Sequence, residues 1–291
     1  MFQGSMVALV TPMLENGDVD YDGLTRLIEF HVAEGTDAIV AVGTTGECAT
    51  LSPSEHMAVV KHCKDVLGGR LPLIAGTGGN STAEAIELTQ MAAEIGVDAC
   101  LSVVPYYNKP TQKGLIAHFK AIANSTQLPV ILYNVPGRTV VDMTAETTAE
   151  LSRIDNIIGI KEAEGSLERT LKLLSLCEEG FVVLSGEDST CCETMLAGGK
   201  GVISVTSNVA PKLMAEMCKL AIAGQVEDAK AIDAKLAALH SILFIESNPQ
   251  APKWLLSEMN LIQPWLRLPL LALSDEVKPD VRAVAKALEL I

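Results

Sequence analysis

Eight short apolar runs, rich in β-branched residues, recur along this chain with helical patterns between them. They are "SMVALVTP" (5–12), "AIVAVGTTGE" (38–47), "LPLIAGTG" (71–78), "ACLSVVPYY" (99–107), "PVILYNVPG" (129–137), "IIGIKEA" (157–163), "FVVLSGED" (181–188) and "GVISVTSNV" (201–209). Their starts lie roughly 20 to 33 residues apart, the length of a strand, a helix and two short loops. The runs are apolar throughout rather than alternating, so each reads as a strand buried on both faces. The segments between carry helix signals: "DYDGLTRLIEFHVAEG" repeats apolar residues at helical spacing and ends on Gly35. "NSTAEAIELTQMAAEIG" opens on capping residues and closes on Gly96.

Eight such units in series predict a (β/α)₈ TIM barrel. A doubly wound sheet is the competing α/β architecture, but its usual G-x-G-x-x-G turn is missing after the first run, where the chain reads "VTPMLENG". From about residue 210 the sequence continues as successive helices, more than the eighth unit needs. The expected organisation is therefore a catalytic barrel over 1–225 and a C-terminal helical region over 226–291. No Pro/Gly/Ser linker marks a flexible boundary.

The formal net charge is −14, with Lys+Arg 22 against Asp+Glu 36. That balance disfavours a nucleic-acid or anionic-membrane partner, since both need basic patches. An anionic small substrate would need local cations. The seven cysteines are scattered, without C-x-x-C pairs, which fits reduced thiols better than a disulfide framework or zinc ribbon. "MFQGSMVALVTP" lacks a basic n-region, and no uncharged apolar run reaches about 18 residues. A soluble, cytoplasmic protein is the expectation.

In a barrel of this type the active site lies at the C-terminal ends of the strands. The polar residues there are Thr11; Thr44, Thr45 and Glu47; Thr77; Tyr106 and Tyr107; Tyr133, Asn134 and Arg138. Lys161 and Glu162 follow, then Ser185, Glu187 and Asp188, then Ser204, Thr206 and Ser207. All five histidines fall in helical segments instead, so no metal site is expected at the mouth. No cofactor is implied.

Lys161, in "NIIGIKEAEG", is the unusual member of this set, because an apolar strand ends on an ammonium. A lysine in an apolar setting can lose its proton and, as the free amine, attack a ketone or aldehyde to form a Schiff base. The plainer alternative is a lysine paired with a carboxylate such as Glu162, or one snorkelling to water. Lys109 lies in a loop after the fourth strand and Lys200 precedes the eighth, on the opposite face. A Schiff-base lysine also needs a proton donor and acceptor. Tyr133, ending the adjacent strand, is placed for that role, with Thr44 and Tyr107 as further hydroxyls. "AVGTTGE" (41–47) offers backbone N–H groups and threonine hydroxyls for a carboxylate, and Arg138 offers a fork for a second one.

Together "GTTGE" (43–47), "YNVPGRT" (133–139) and "GIKEA" (159–163) resemble the dihydrodipicolinate synthase branch of the class I Schiff-base aldolases, the group that also contains N-acetylneuraminate lyase. The resemblance runs essentially the full length, and "PYYNKP" (105–110) favours the same branch. It implies an imine between Lys161 and pyruvate, with Tyr133 moving protons and Thr44 and Tyr107 completing a relay. Tyr107 would reach into a neighbouring subunit's site. Thr45 and the backbone of Ile203 would hold pyruvate, Arg138 would bind the carboxylate of L-aspartate-4-semialdehyde, and Gly186 would lie in the substrate pocket. A homotetramer built as a dimer of dimers, serving diaminopimelate and lysine biosynthesis, is also implied.

Ala49, His56, Asn80, Glu84 and Tyr106 match the pocket at which lysine inhibits many members. Cys48 and Pro53 depart from the lysine-sensitive bacterial pattern, so weak or absent feedback is expected. The rival readings are a related aldolase acting on a 2-keto-3-deoxy sugar acid, and a non-catalytic metabolite-binding barrel. Arg138 argues against the first, since a polyol needs no carboxylate fork. The Lys, Tyr and Thr set argues against the second.

Overall fold

A computed structural model describes residues 2–291. Eight parallel strands close into a barrel in chain order: β1 (Gly4–Ala8), β2 (Ala38–Ala41), β3 (Leu73–Gly76), β4 (Ala99–Val103), β5 (Val130–Asn134), β6 (Ile157–Glu162), β7 (Val182–Ser185) and β8 (Gly201–Ser204). The first strand pairs with the last, Gly4 opposite Gly201, so no sheet edge remains. Helices α1 (Tyr21–Ala33), α2 (Pro53–Leu67), α3 (Thr82–Ile95) and α4 (Gln112–Asn124) follow the first four strands. After β5 come a short α5 (Pro136–Thr139) and α6 (Ala145–Leu151). Next are α7 (Leu167–Leu176), α8 (Cys191–Leu196) and α9 (Pro211–Ile222). The chain ends in α10 (Val226–Ile242), α11 (Gln250–Glu258) and α12 (Lys278–Ala287).

Strand alternation divides the apolar residues between two layers. Met6, Val40, Ile74, Leu101, Ile131, Leu184 and Ile203 fill the barrel interior. Their sequence neighbours Val7, Ile39, Leu73 and Val202 face the helical ring. This double burial is why the runs carry no polar alternation. The outer core continues without a break into the C-terminal helices: Val10, Met13 and Val209 share one cluster with Leu236, Trp254, Leu255 and Val281.

The strands are shorter than the apolar runs that announce them. The 38–47 run leaves the sheet after Ala41, because Val42 takes φ +51° and starts a turn. The 99–107 run stops at Val103, ahead of Pro105. The 129–137 run stops at Asn134, and Pro136 opens α5. In each case the polar end of the run is rim loop, which is where substrate-facing groups are needed.

Candidate active site

Lys161 and Tyr133 sit opposite each other in the β5–β6 register. Lys161 is 6% exposed, and its Nζ lies 4.3 Å from the centre of the Tyr133 ring. The alternative pairing with Glu162 does not occur. Successive residues of a strand face opposite ways, so Glu162 points into the helical layer. There it accepts hydrogen bonds from Asn134 Nδ2 (3.0 Å) and the Glu164 N–H (2.9 Å), and pairs with Arg169 Nε at 3.2 Å. Burial outweighs these partners and pushes the Glu162 carboxyl up to about 7. Lys161 forms no ion pair among the described residues, while Lys109 and Lys200 are exposed.

Gly186, at the end of β7, packs directly on this lysine. A Cβ there would stand 2.7 Å from Ala163 Cβ and 2.9 Å from Lys161 Cε, so only glycine leaves the side chain its place. Ile203 is fully buried in the interior wall on β8. Asp188 fastens the end of that strand, accepting from the Val205 and Thr206 N–H groups at 2.9 Å each.

Thr44 and Thr45 stand on the turn after β2. Thr44 shares a small cavity with Tyr133, His56, Cys48 and Val103. Turn hydrogen bonds run from Gly46 N to Gly43 O and from Glu47 N to Thr44 O, whereas the Thr44 and Thr45 N–H groups donate to no described residue. They are therefore available to an anion. The turn is bracketed by two non-glycine residues at positive φ, Val42 (+51°) and Glu47 (+55°), a conformation that persists only where surroundings impose it.

Those surroundings come largely from the C-terminal region. Asn248 Nδ2 donates to Thr45 Oγ1 at 2.9 Å. Lys253, in α11, is fully buried and meets Glu47 Oε1 at 2.5 Å and Thr11 O at 2.9 Å. Burial pushes the Lys253 ammonium down from its ordinary value, and Glu47 opposes that shift. Leaving either charge alone in such a place costs on the order of 3–5 kcal/mol. Glu47 Oε2 accepts from the Arg267 N–H at 3.1 Å, and the Arg267 guanidinium spans Gly17 O, Thr50 O and Glu55.

Arg138, exposed at the rim in α5, reaches Asn248 O at 3.5 Å and has no carboxylate partner among the described residues. It brings a free guanidinium to the mouth of an acidic protein. Tyr107 does not join the cluster of its own chain: it is 91% exposed, at φ +73°. The neighbouring Tyr106 is tied by its carbonyl to Asn80 Nδ2 at 3.2 Å. The negative charge of Glu84 acts on both Tyr106 and His56, and Cys48 also faces Tyr106. These residues form one patch, with Ala49 exposed nearby in sequence. Burial pushes the Cys48 thiol up to about 11.

All five histidines lie within helices, as expected, and burial pushes His31 down to about 3 and His118 to about 4. No group of three metal-ligating side chains gathers among the described residues. Other strand-end hydroxyls hold structure: Thr11 Oγ1 donates to Gly46 O, Thr89 Oγ1 donates to Thr77 Oγ1, and Ser5 and Ser207 bond each other. Sequence reasoning missed Asn248, Lys253, Arg267 and Arg169. A signal existed for Lys253, a lone charge inside the apolar "APKWLL".

A closed (β/α)₈ barrel whose mouth presents a buried, unpaired lysine against a tyrosine has the layout of the lysine-dependent aldolases. The chain belongs to the dihydrodipicolinate synthetase family, whose profile matches residues 1–288. It is 54% identical over 291 residues, 100% of each chain, to the 4-hydroxy-tetrahydrodipicolinate synthase of Saccharophagus degradans. It is 56% identical over 282 residues, 97% of each chain, to that of Methylococcus capsulatus. The crystal structure of the chloride-inhibited dihydrodipicolinate synthase from Acinetobacter baumannii, complexed with pyruvate, superposes with a TM-score of 0.99. The two are 52% identical, and the match covers 100% of each chain.

Proposed function

We propose that this chain is a 4-hydroxy-tetrahydrodipicolinate synthase, condensing pyruvate with L-aspartate-4-semialdehyde in diaminopimelate and lysine biosynthesis. The observation that carries the reading is the buried Lys161 amine, free of any carboxylate and set over the Tyr133 ring. The full-length likeness to synthases, one of them complexed with pyruvate, supports it.

The Thr44–Thr45 turn receives the carboxylate of pyruvate, with Ile203 at the facing wall. The Lys161 amine adds to the ketone, and loss of water from the carbinolamine leaves the imine. Tyr133 carries the protons that these two steps take up and release. Loss of a methyl proton then gives the enamine. Its nucleophilic carbon attacks the aldehyde of the semialdehyde, whose carboxylate pairs with Arg138. The semialdehyde's own amine finally displaces Lys161 from the imine carbon, closing the ring and freeing the enzyme.

Tyr107 serves a second copy of the chain. Its exposed ring beside the mouth supports the homotetrameric, dimer-of-dimers assembly that the family resemblance implies. The seven free cysteines support a cytoplasmic location, and among the described residues no helix is long and apolar enough to cross a membrane. Lysine meets a patch of Ala49, His56, Asn80, Glu84 and Tyr106 altered by Cys48 and Pro53, so feedback is weak or absent. Strong inhibition at low lysine concentration would contradict that.

Trapping with pyruvate and borohydride, followed by peptide mapping, tests the central step. The adduct is expected on Lys161, and a label on any other residue would refute the mechanism. Comparing L-aspartate-4-semialdehyde with sugar aldehydes as acceptors tests the substrate assignment. Preference for the sugar aldehydes would favour the 2-keto-3-deoxy sugar acid reading.

A further inference from the structure

We propose that the buried Lys253–Glu47 pair, with Lys253 supplied from α11 outside the eight βα units, positions the Thr44–Thr45 turn for the carboxylate of pyruvate. The inference rests on the pyruvate reading above and concerns residues that do not touch the substrate.

Three observations converge. First, the turn cannot hold its own shape cheaply. Val42 and Glu47 are both in the left-handed region, and Val42 is β-branched, the type of residue least suited to it. Second, the barrel side of the turn is closed by backbone packing. A Cβ on Gly46 would lie 3.1 Å from Leu9 O, after β1, and one on Gly76 in β3 would lie 2.5 Å from Val42 O. The turn is therefore packed closely on the backbone that follows β1 and on β3. Third, on the side of the C-terminal region the turn meets a fully buried side chain, alongside the contacts of Asn248 and Arg267. Lys253 Nζ joins Glu47 Oε1 (2.5 Å) to Thr11 O (2.9 Å), and the Thr11 hydroxyl in turn donates to Gly46 O (2.7 Å). The lysine thus braces the C-terminal end of the turn at two adjacent residues, Glu47 directly and Gly46 through Thr11. The other carboxylate oxygen of Glu47 is held by the Arg267 backbone, so Glu47 cannot swing to a new partner without breaking two contacts.

A charge pair at zero exposure is a poor choice for stability alone, since apolar residues of similar volume do as well or better. What it supplies here is direction: a short contact that fixes Glu47, and through it the orientation of the preceding N–H groups. The Thr44 and Thr45 N–H groups have no hydrogen-bond partner among the described residues.

The test compares the wild type with Lys253→Met and with the double variant Glu47→Gln/Lys253→Met, which leaves no unpaired buried charge. The readouts are the pyruvate concentration giving half-maximal borohydride trapping of Lys161, and the separate KM values for pyruvate and semialdehyde. Both variants should need at least about tenfold more pyruvate, with the semialdehyde KM within about threefold of wild type, as expected from a displaced cradle. Wild-type pyruvate dependence in the double variant would overturn the proposal. So would equal changes in both KM values, or failure of both variants to fold, since each makes the pair merely structural. If the wild type itself is not trapped by pyruvate, the functional reading fails instead, which keeps the two outcomes distinct.

Discussion

Tyr133 and Lys161 stand on regular strands, whereas Thr44 and Thr45 stand on a turn that regular structure cannot hold. The first pair is positioned by parallel register, one residue directly across from the other, with Glu162, Asn134 and Arg169 bracing the outer face. The second is positioned by two left-handed residues and by contacts from Asn248, Lys253 and Arg267, some 200 residues away in sequence. The contrast follows from what each group must offer. An amine and a phenol act through side chains, so their backbones can stay in the sheet. A carboxylate cradle needs free N–H groups, and a strand in a closed barrel has none to spare.

Substitutions on the strand pair should therefore damage kcat, and substitutions on the turn should damage pyruvate binding. The largest expected effect is Lys161→Met, a loss of activity on the order of 10⁴-fold or more with no borohydride-trapped adduct. Residual turnover near wild type would break the strand half of the contrast. Tyr133→Phe should lower kcat by about 10²–10⁴-fold while trapping still occurs, only more slowly, in rapid-quench measurements. Gly186→Ala should cost about 10²-fold in kcat, because the new methyl displaces the Lys161 stem by a fraction of an ångström or more. A crystal structure of that variant should show the lysine moved.

On the turn, Thr45→Val removes the hydroxyl that Asn248 contacts, and steady-state assays should show the pyruvate KM rising about tenfold with kcat little changed. If kcat falls instead, the turn and the strands are not separable. The smallest effect concerns the outer brace. The folded protein holds a proton on Glu162 up to about pH 7, whereas the unfolded chain releases it near the ordinary value of 4.5. The stability contributed by this group therefore decreases as pH rises from about 4.5 to 7. Urea unfolding across that range should show a shallower pH dependence for Glu162→Gln than for wild type.

Much of this was legible without coordinates. Continuous apolar runs announce strands buried on both faces, and their rhythm announces the barrel. Lys161 stands out because a strand of that kind has no other reason to end on a charge. Its face was settled by alternation, which sends Glu162 the other way. The strand ends were less legible, since Val42 and Val104 look like strand to any propensity argument and only the backbone shows where pairing stops.

The sequence by itself determined the eight-unit barrel, the lysine at its mouth and the tyrosine on the next strand, because these depend on local periodicity and short-range order. Only the tertiary structure decided that Asn248, Lys253 and Arg267 hold the Thr44–Thr45 turn. Contacts across some 200 residues leave no periodic trace. A lone lysine in an apolar helix says that a partner must exist, since its burial demands one, but not which carboxylate the fold will bring to it.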